Sequence, residues 1–161
     1  MNGKIVGSFI VLTALVVGAL IYWVQVYAYY APVVFTPGDE IELTPLSGPP
    51  EAIPVKDIQG IDGSSSPLRF RACFTTTLDV ATLTEAYKVY DGAVPLNAPG
   101  WFSCFDAGKI DAGLESGAAI AFLSKADIAP EIDRVVAVFA DGRAYAWHQV
   151  RPGVDTTATG E

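Results

Sequence analysis

Residues 134–150 read RVVAVFADGRAYAWHQV, two apolar runs broken by Asp141-Gly142. Runs of this length, rich in Val, Phe, Tyr and Trp and bounded by a turn pair, read as strands, and Asp-Gly is favoured where a two-residue type I′ turn needs positive φ at both central positions. Such a turn predicts that Ala140 pairs with Arg143. The two-residue period then sets Val138 opposite Tyr145 and Val136 opposite Trp147 on one face, with Phe139, Ala137, Val135, Ala144, Ala146 and His148 on the other. The alanines leave room for close helix packing on that second face. The expected architecture is therefore α+β, an antiparallel sheet of about four to five strands with two helices on one face. The first face, bearing Val136, Tyr145 and Trp147, is left as a surface for a partner.

Working outward, residues 56–62 and 68–76 flank GSSSP and are predicted to form a hairpin. Asp79 caps VATLTEAYKVY, where Val80, Leu83 and Tyr87 recur at helical spacing and Thr82 to Glu85 has capping-box form, and Asp91-Gly92 ends that helix. A second helix is capped by Asp106, carries Ile110 and Leu114 on one face and stops at Gly117. AAIAFLS supplies a further strand before the hairpin at residues 134–150.

The N-terminal part follows different rules. Ile5 to Val24 runs without a charge, long enough as a helix to cross about 30 Å of hydrocarbon. Tyr22, Trp23, Tyr27, Tyr29 and Tyr30 cluster at its exit, as aromatic side chains do at a headgroup layer, and Lys4 precedes it, so the N-terminus is expected in the cytoplasm and the rest outside. The run exceeds the apolar core of a signal peptide and no small-x-small pattern follows it, which predicts an uncleaved anchor. Gly3, Gly7, Ala14 and Gly18 fall on one side of the span, a stripe that permits close helix packing. Residues 31–54, proline-rich and acidic, are expected to be an extended linker; residues 55–152 the folded domain in a bacterial periplasm; and residues 153–161 a flexible tail.

Charge narrows the function. Lys4 aside, nine Lys and Arg face all eighteen Asp and Glu, a net of minus nine beyond the span, which speaks against nucleic acid as a partner. Cys73 and Cys104 are the two cysteines, and in an oxidising compartment an even pair in a small domain is expected to form a structural disulfide rather than a redox or metal-binding thiol pair, since CxxC spacing and a second histidine are both lacking. His148, the single histidine, is expected to be packed, without a metal. No GxSxG elbow accompanies it, Ser124 and Lys125 point to opposite faces of a strand, Asp111 and Glu115 read as a solvated helix face, and Arg69, Arg71, Arg134 and Arg143 are scattered. No catalytic residue and no cofactor are expected.

MNGKIVG opening the span, VYAYY leaving it, and then RACFTT, APGWFSCFDAG and VFADGRAYAWHQ together resemble an uncharacterised family of small single-span bacterial inner-membrane proteins, a domain of unknown function. Some members carry a histidine-kinase label, to which one strand histidine and the lack of nucleotide-binding glycine boxes give no support. The resemblance implies the architecture and no activity. The expected role is that of a non-enzymatic accessory or assembly subunit of an inner-membrane complex, of respiratory or photosynthetic electron transfer, held in the lipid bilayer. Its acidic outer domain, with Asp39, Glu40 and Glu42 near the membrane, would attract a basic c-type cytochrome. The alternatives are a tethered ligand-binding or sensing module, which needs a cavity with convergent polar groups, and a metallochaperone using Cys73, Cys104 and His148.

Overall fold

In the computed structural model, which describes residues 2–38 and 40–154, the hairpin of β7 (Ile132–Phe139) and β8 (Arg143–Val150) closes one residue wider than expected. Val138 pairs with Ala144, Ala137 with Tyr145, Val136 with Ala146 and Val135 with Trp147. The loop holds three residues: Gly142 N donates to Phe139 O at 3.0 Å, and Gly142 alone of the Asp-Gly pair takes positive φ, +85°. A type I turn closed by a left-handed glycine spares Asp141 the steric cost of positive φ, and the Asp141 carboxylate is used instead to accept from Arg143 N and Nε at 3.1 and 2.7 Å. The slip of one residue exchanges partners across the two strands, so Val136 and Val138 share a face with Ala144 and Ala146, and Val135 and Ala137 share the other with Tyr145 and Trp147.

Around this hairpin the chain builds an antiparallel sheet of six strands, more than expected, in the order β1, β4, β5, β8, β7, β6. The remaining members are β1 (Ala31–Pro32), β4 (Lys56–Asp62), β5 (Arg71–Thr75) and β6 (Ala119–Ala129). A separate ribbon pairs β2 (Glu42–Leu43) with β3 (Glu51–Ala52). The helices are α1 (Gly3–Trp23), α2 (Val80–Ala86) and α3 (Ala107–Glu115). Asp79 and Asp106 cap α2 and α3 by accepting from Thr82 N at 2.9 Å and Lys109 N at 3.2 Å. The helix expected to reach Tyr90 ends at Ala86. Residues 88–90 run on as extended chain along the outer edge of β6, with Leu123 N donating to Lys88 O and Tyr90 N to Ala121 O. That edge is thereby closed to foreign strands.

Both faces of the sheet are buried, which corrects the expected single helical face. Leu83 of α2 packs with Phe70, Phe74, Phe122, Val136 and Val138 on one side; Ile110 of α3 packs with Phe102, Phe105, Val135 and Trp147 on the other. Val136 and Trp147 are wholly buried and Tyr145 half-buried, so the surface predicted from those three residues does not exist. Residues 31–54 are no spacer either: β1 pairs with β4, and Ile41, Leu43 and Ile53 are core residues over the α2 face. Proline density excludes helix, not burial. Asp39 and the tail from residue 155 lie outside the described residues.

The hairpin loop should tolerate change poorly. A Cβ at Gly142 would stand 2.7 Å from Thr76 O in a left-handed backbone. Gly142→Ala is expected to cost about 2 kcal/mol, read as a lowered thermal midpoint of the detergent-solubilised chain by near-ultraviolet circular dichroism. An unchanged midpoint would mean that the loop rebuilds as a two-residue turn.

Candidate functional site

The most constructed feature outside the core is the junction where α1 meets the domain. The apolar helix runs from Gly3 to Ala28, long and apolar enough to cross a membrane, its last turn, Val24–Ala28, widened to π-helical form. A helix leaves its last four carbonyls without intrahelical donors. One of these, Val26 O, accepts from Trp101 Nε1 at 2.8 Å across 75 residues of sequence. Tyr27 stacks on the indole with ring centroids 6.3 Å apart, and Tyr30 meets it edge-on at 6.0 Å. On the other side the Arg69 guanidinium lies 5.3 and 5.1 Å from the Tyr29 and Tyr30 ring centres. Among the described residues its Nη1 is buried with no hydrogen-bond partner, and the two ring faces are what it meets there. Gly63 lets these pieces close: a Cβ on it would fall 2.6 Å from Tyr29 O and 2.5 Å from Arg69 Cδ.

The loop bearing Trp101 is fixed at two further points. Arg71, 4 % exposed, donates to the carbonyls of Leu96, Asn97, Leu68 and Phe70 at 2.6 to 3.1 Å, tying residues 96–97 to the 3₁₀ turn Pro67–Arg69. Burial lowers its pKa to about 10, still far above neutrality, so the clamp stays charged. Cys73 and Cys104 are joined with Cα atoms 6.2 Å apart, binding the end of the same loop to β5. Phe102 and Phe105 pack beside the bond, whereas Trp101 turns away to the helix exit.

The buried polar groups are occupied by one another. His148 Nδ1 donates to Pro67 O at 2.7 Å, its Nε2 accepts from Arg134 Nε at 3.0 Å, and Phe70 stacks on the ring at 4.7 Å while the Arg134 guanidinium covers Phe70 at 4.3 Å. Burial, with added repulsion from Arg134 and Arg71, takes the His148 pKa down to about 4 despite the Pro67 carbonyl. Asp133, also buried, accepts from Tyr90 OH at 3.0 Å, Asp127 N at 3.0 Å and Arg151 Nη2 at 2.9 Å. Burial opposes ionisation there, and these donors outweigh it, holding the carboxyl below its usual range. Cys73 lies on the α3 face and His148 stacks on Phe70 of the α2 face, so the trio considered for a metal does not converge; among the described residues no group of three His, Cys, Asp or Glu does.

Other sequence-derived candidates stand apart from this junction. Cβ atoms at Gly3, Gly7 and Gly18 would meet nothing within 4 Å, so the stripe including Ala14 is open. Of the acidic set, Glu40 accepts from Gly38 N at 2.9 Å and Glu42 pairs with Lys125 at 3.6 Å. A cleft of about 360 Å³ lined by Leu68, Val94, Leu96 and Gln149 is apolar apart from Gln149, whose amide already serves Val94 N, Trp147 Nε1 and Gly92 O. Sequence reading missed the junction itself; the signal it left is an uncharged loop with an isolated tryptophan inside an acidic domain.

A family model described as a family of unknown function, DUF6446, matches residues 41–161, most of the chain. The chain belongs to that family. No curated protein and no solved structure matches it. The family's matched region begins at Ile41, a core residue inside the stretch expected to be linker.

Because the interior is closed, its clearest chemical signature is acid sensitivity. Above pH about 6.5 folded and unfolded chains both hold His148 neutral; as pH falls toward 4 the unfolded imidazole takes up a proton that the folded one refuses. Stability is therefore lost across that window, by up to about 3 kcal/mol. His148→Gln should flatten the loss between neutral pH and pH about 5, measured by denaturant unfolding, while the steeper fall near the Asp133 titration at lower pH persists.

Proposed function

We propose that this protein is a single-pass, non-enzymatic accessory or assembly subunit of a bacterial inner-membrane complex, with its N-terminus in the cytoplasm and its acidic domain in the periplasm. The observation that carries this reading is the contrast between the two ends of α1. Its exit is fastened to the domain through Trp101 and Val26, while the stripe of Gly3, Gly7 and Gly18 is bare. A helix that served only as a tether has no need of a fixed attachment. A fixed one presents the stripe to a neighbouring helix at a set angle, and small residues there let backbones approach to van der Waals contact. Internal use of His148, Asp133 and Arg71 supports a role exercised through surfaces rather than through chemistry. The net charge of minus nine beyond the span favours encounters with a basic partner such as a c-type cytochrome, in a manner weakened by salt.

Two measurements test the reading. Because Cys73 and Cys104 are joined, Ser47→Cys adds a single thiol at an exposed position. It is expected to react with a membrane-impermeant maleimide in intact spheroplasts, and labelling only after lysis would reverse the orientation. Gly7→Leu with Gly18→Leu inserts bulk into the stripe without lowering hydrophobicity, so membrane level and topology are expected to stay unchanged while co-migration with a larger assembly in native gels disappears. If the double variant stays in the parent's assembly, the span is merely a tether.

A further inference from the structure

We infer that the domain is seated directly on the bilayer, with the loop of residues 96–102 lying in the phospholipid headgroup layer beside the helix exit; this rests on the membrane-spanning reading above. The argument begins with depth. Ile5 to Val24 as a helix fills about 30 Å of hydrocarbon at about 1.5 Å per residue. Val26 is two residues further on, about 3 Å into an interfacial layer that is about 5 to 8 Å thick on each side. Trp101 Nε1 donates to the carbonyl of that residue. The indole therefore shares its depth, and Arg71 and the Cys73–Cys104 bond hold the remainder of the loop to the sheet, so the domain cannot swing away without breaking these contacts.

Composition of the face agrees. Three stretches each reach the exit at one point: residues 31–38 (APVVFTPG) where β1 pairs with β4, 63–68 (GSSSPL) at Gly63 under Tyr29 and Arg69, and 92–103 (GAVPLNAPGWFS) at Trp101, the last two being linked by the Arg71 clamp. None of their residues is charged, although the chain beyond the span carries nine cations and eighteen anions. Desolvating a carboxylate against lipid is costly, and these three stretches carry none. At the exit itself the cation of Arg69 is held between Tyr29 and Tyr30, and the carboxylate of Asp62, opposite Ala31, is turned onto the Gly63 amide at 2.7 Å. Trp101 keeps 39 % of its surface exposed and Val34 94 %, and tyrosine and tryptophan with one apolar and one polar edge are the residues that settle at a headgroup layer.

The chain has three tryptophans, at 23, 101 and 147, and Trp147 is wholly buried, so emission can be assigned by substitution. The full chain is placed in phosphatidylcholine vesicles brominated at acyl positions 6 and 7, which quench indoles near the interface. Trp23→Phe, which leaves Trp101 and Trp147, is expected to lose emission relative to unbrominated vesicles, and Trp23→Phe with Trp101→Phe is expected to lose none. Trp101→Phe retains Trp23 and reports insertion of the span. Quenching of the Trp101→Phe variant without quenching of the Trp23→Phe variant would overturn the seating while leaving the span intact. An unquenched Trp101→Phe variant would remove the membrane reading itself, and the seating with it.

Discussion

A sheet that is apolar on both faces has to be covered twice, and the helices beyond the span, α2 with seven residues and α3 with nine, are too short to cover six strands. The rest of the cover comes from irregular chain. On the α2 side it is Ile41, Leu43 and Ile53 from the proline-rich segment; on the α3 side it is Phe102 and Phe105. Among the described residues the only ladder inside these stretches is the two-residue pairing of β2 with β3, so each is fastened by further means. Ile41 O accepts from Ile53 N, Thr44 Oγ1 donates to Ser124 O and Ser124 Oγ to Glu42 O, which ties the first stretch to β6. The Cys73–Cys104 bond and the Arg71 clamp hold the second to β5. Closing a loop of this size by a disulfide is worth on the order of 3 kcal/mol in the chain-entropy picture, a large part of the margin of a small domain.

The same loop that covers the α3 face also reaches the helix exit. Arg71 and Cys73 are two residues apart on β5, so their side chains share the α3 face of the strand, and each holds one end of the segment that carries Trp101 between them. Core packing, cross-link and attachment to α1 are consequently one mechanical unit. Loosening the cover would free the indole, and with it the angle between helix and domain.

Local signals were legible from sequence where local chemistry decides. Asp79 and Asp106 are caps because a carboxylate ahead of an amphipathic stretch has backbone donors within reach, and Gly117 stops α3 at φ +73° because a residue with a Cβ avoids that conformation. The position of the last hairpin was legible; its register was not, because Asp-Gly fits both a two-residue turn and a three-residue loop, and the choice rests on what Asp141 gains by bonding Arg143. The burial of residues 31–54 was not legible because proline density announces the lack of a helix and says nothing of what Ile41, Leu43 and Ile53 pack against. The place of Trp101 was not legible, since nothing local reveals a bond to a carbonyl 75 residues away.

The attachment also decides which side of the span is left free. Tyr27, which takes the stacking contact with Trp101, follows Gly18 by nine residues, and with the wider π-helical turn between them it lies roughly a third to a half of a turn away. The domain therefore hangs from one side of the helix and the small residues face another. Had the two coincided, the domain would overhang the stripe and hinder a neighbouring helix near the exit. As they stand, the stripe and the domain occupy different sides of the helix. A change at either surface would be felt at the other only through the short path from Val26 to Trp101 to β5.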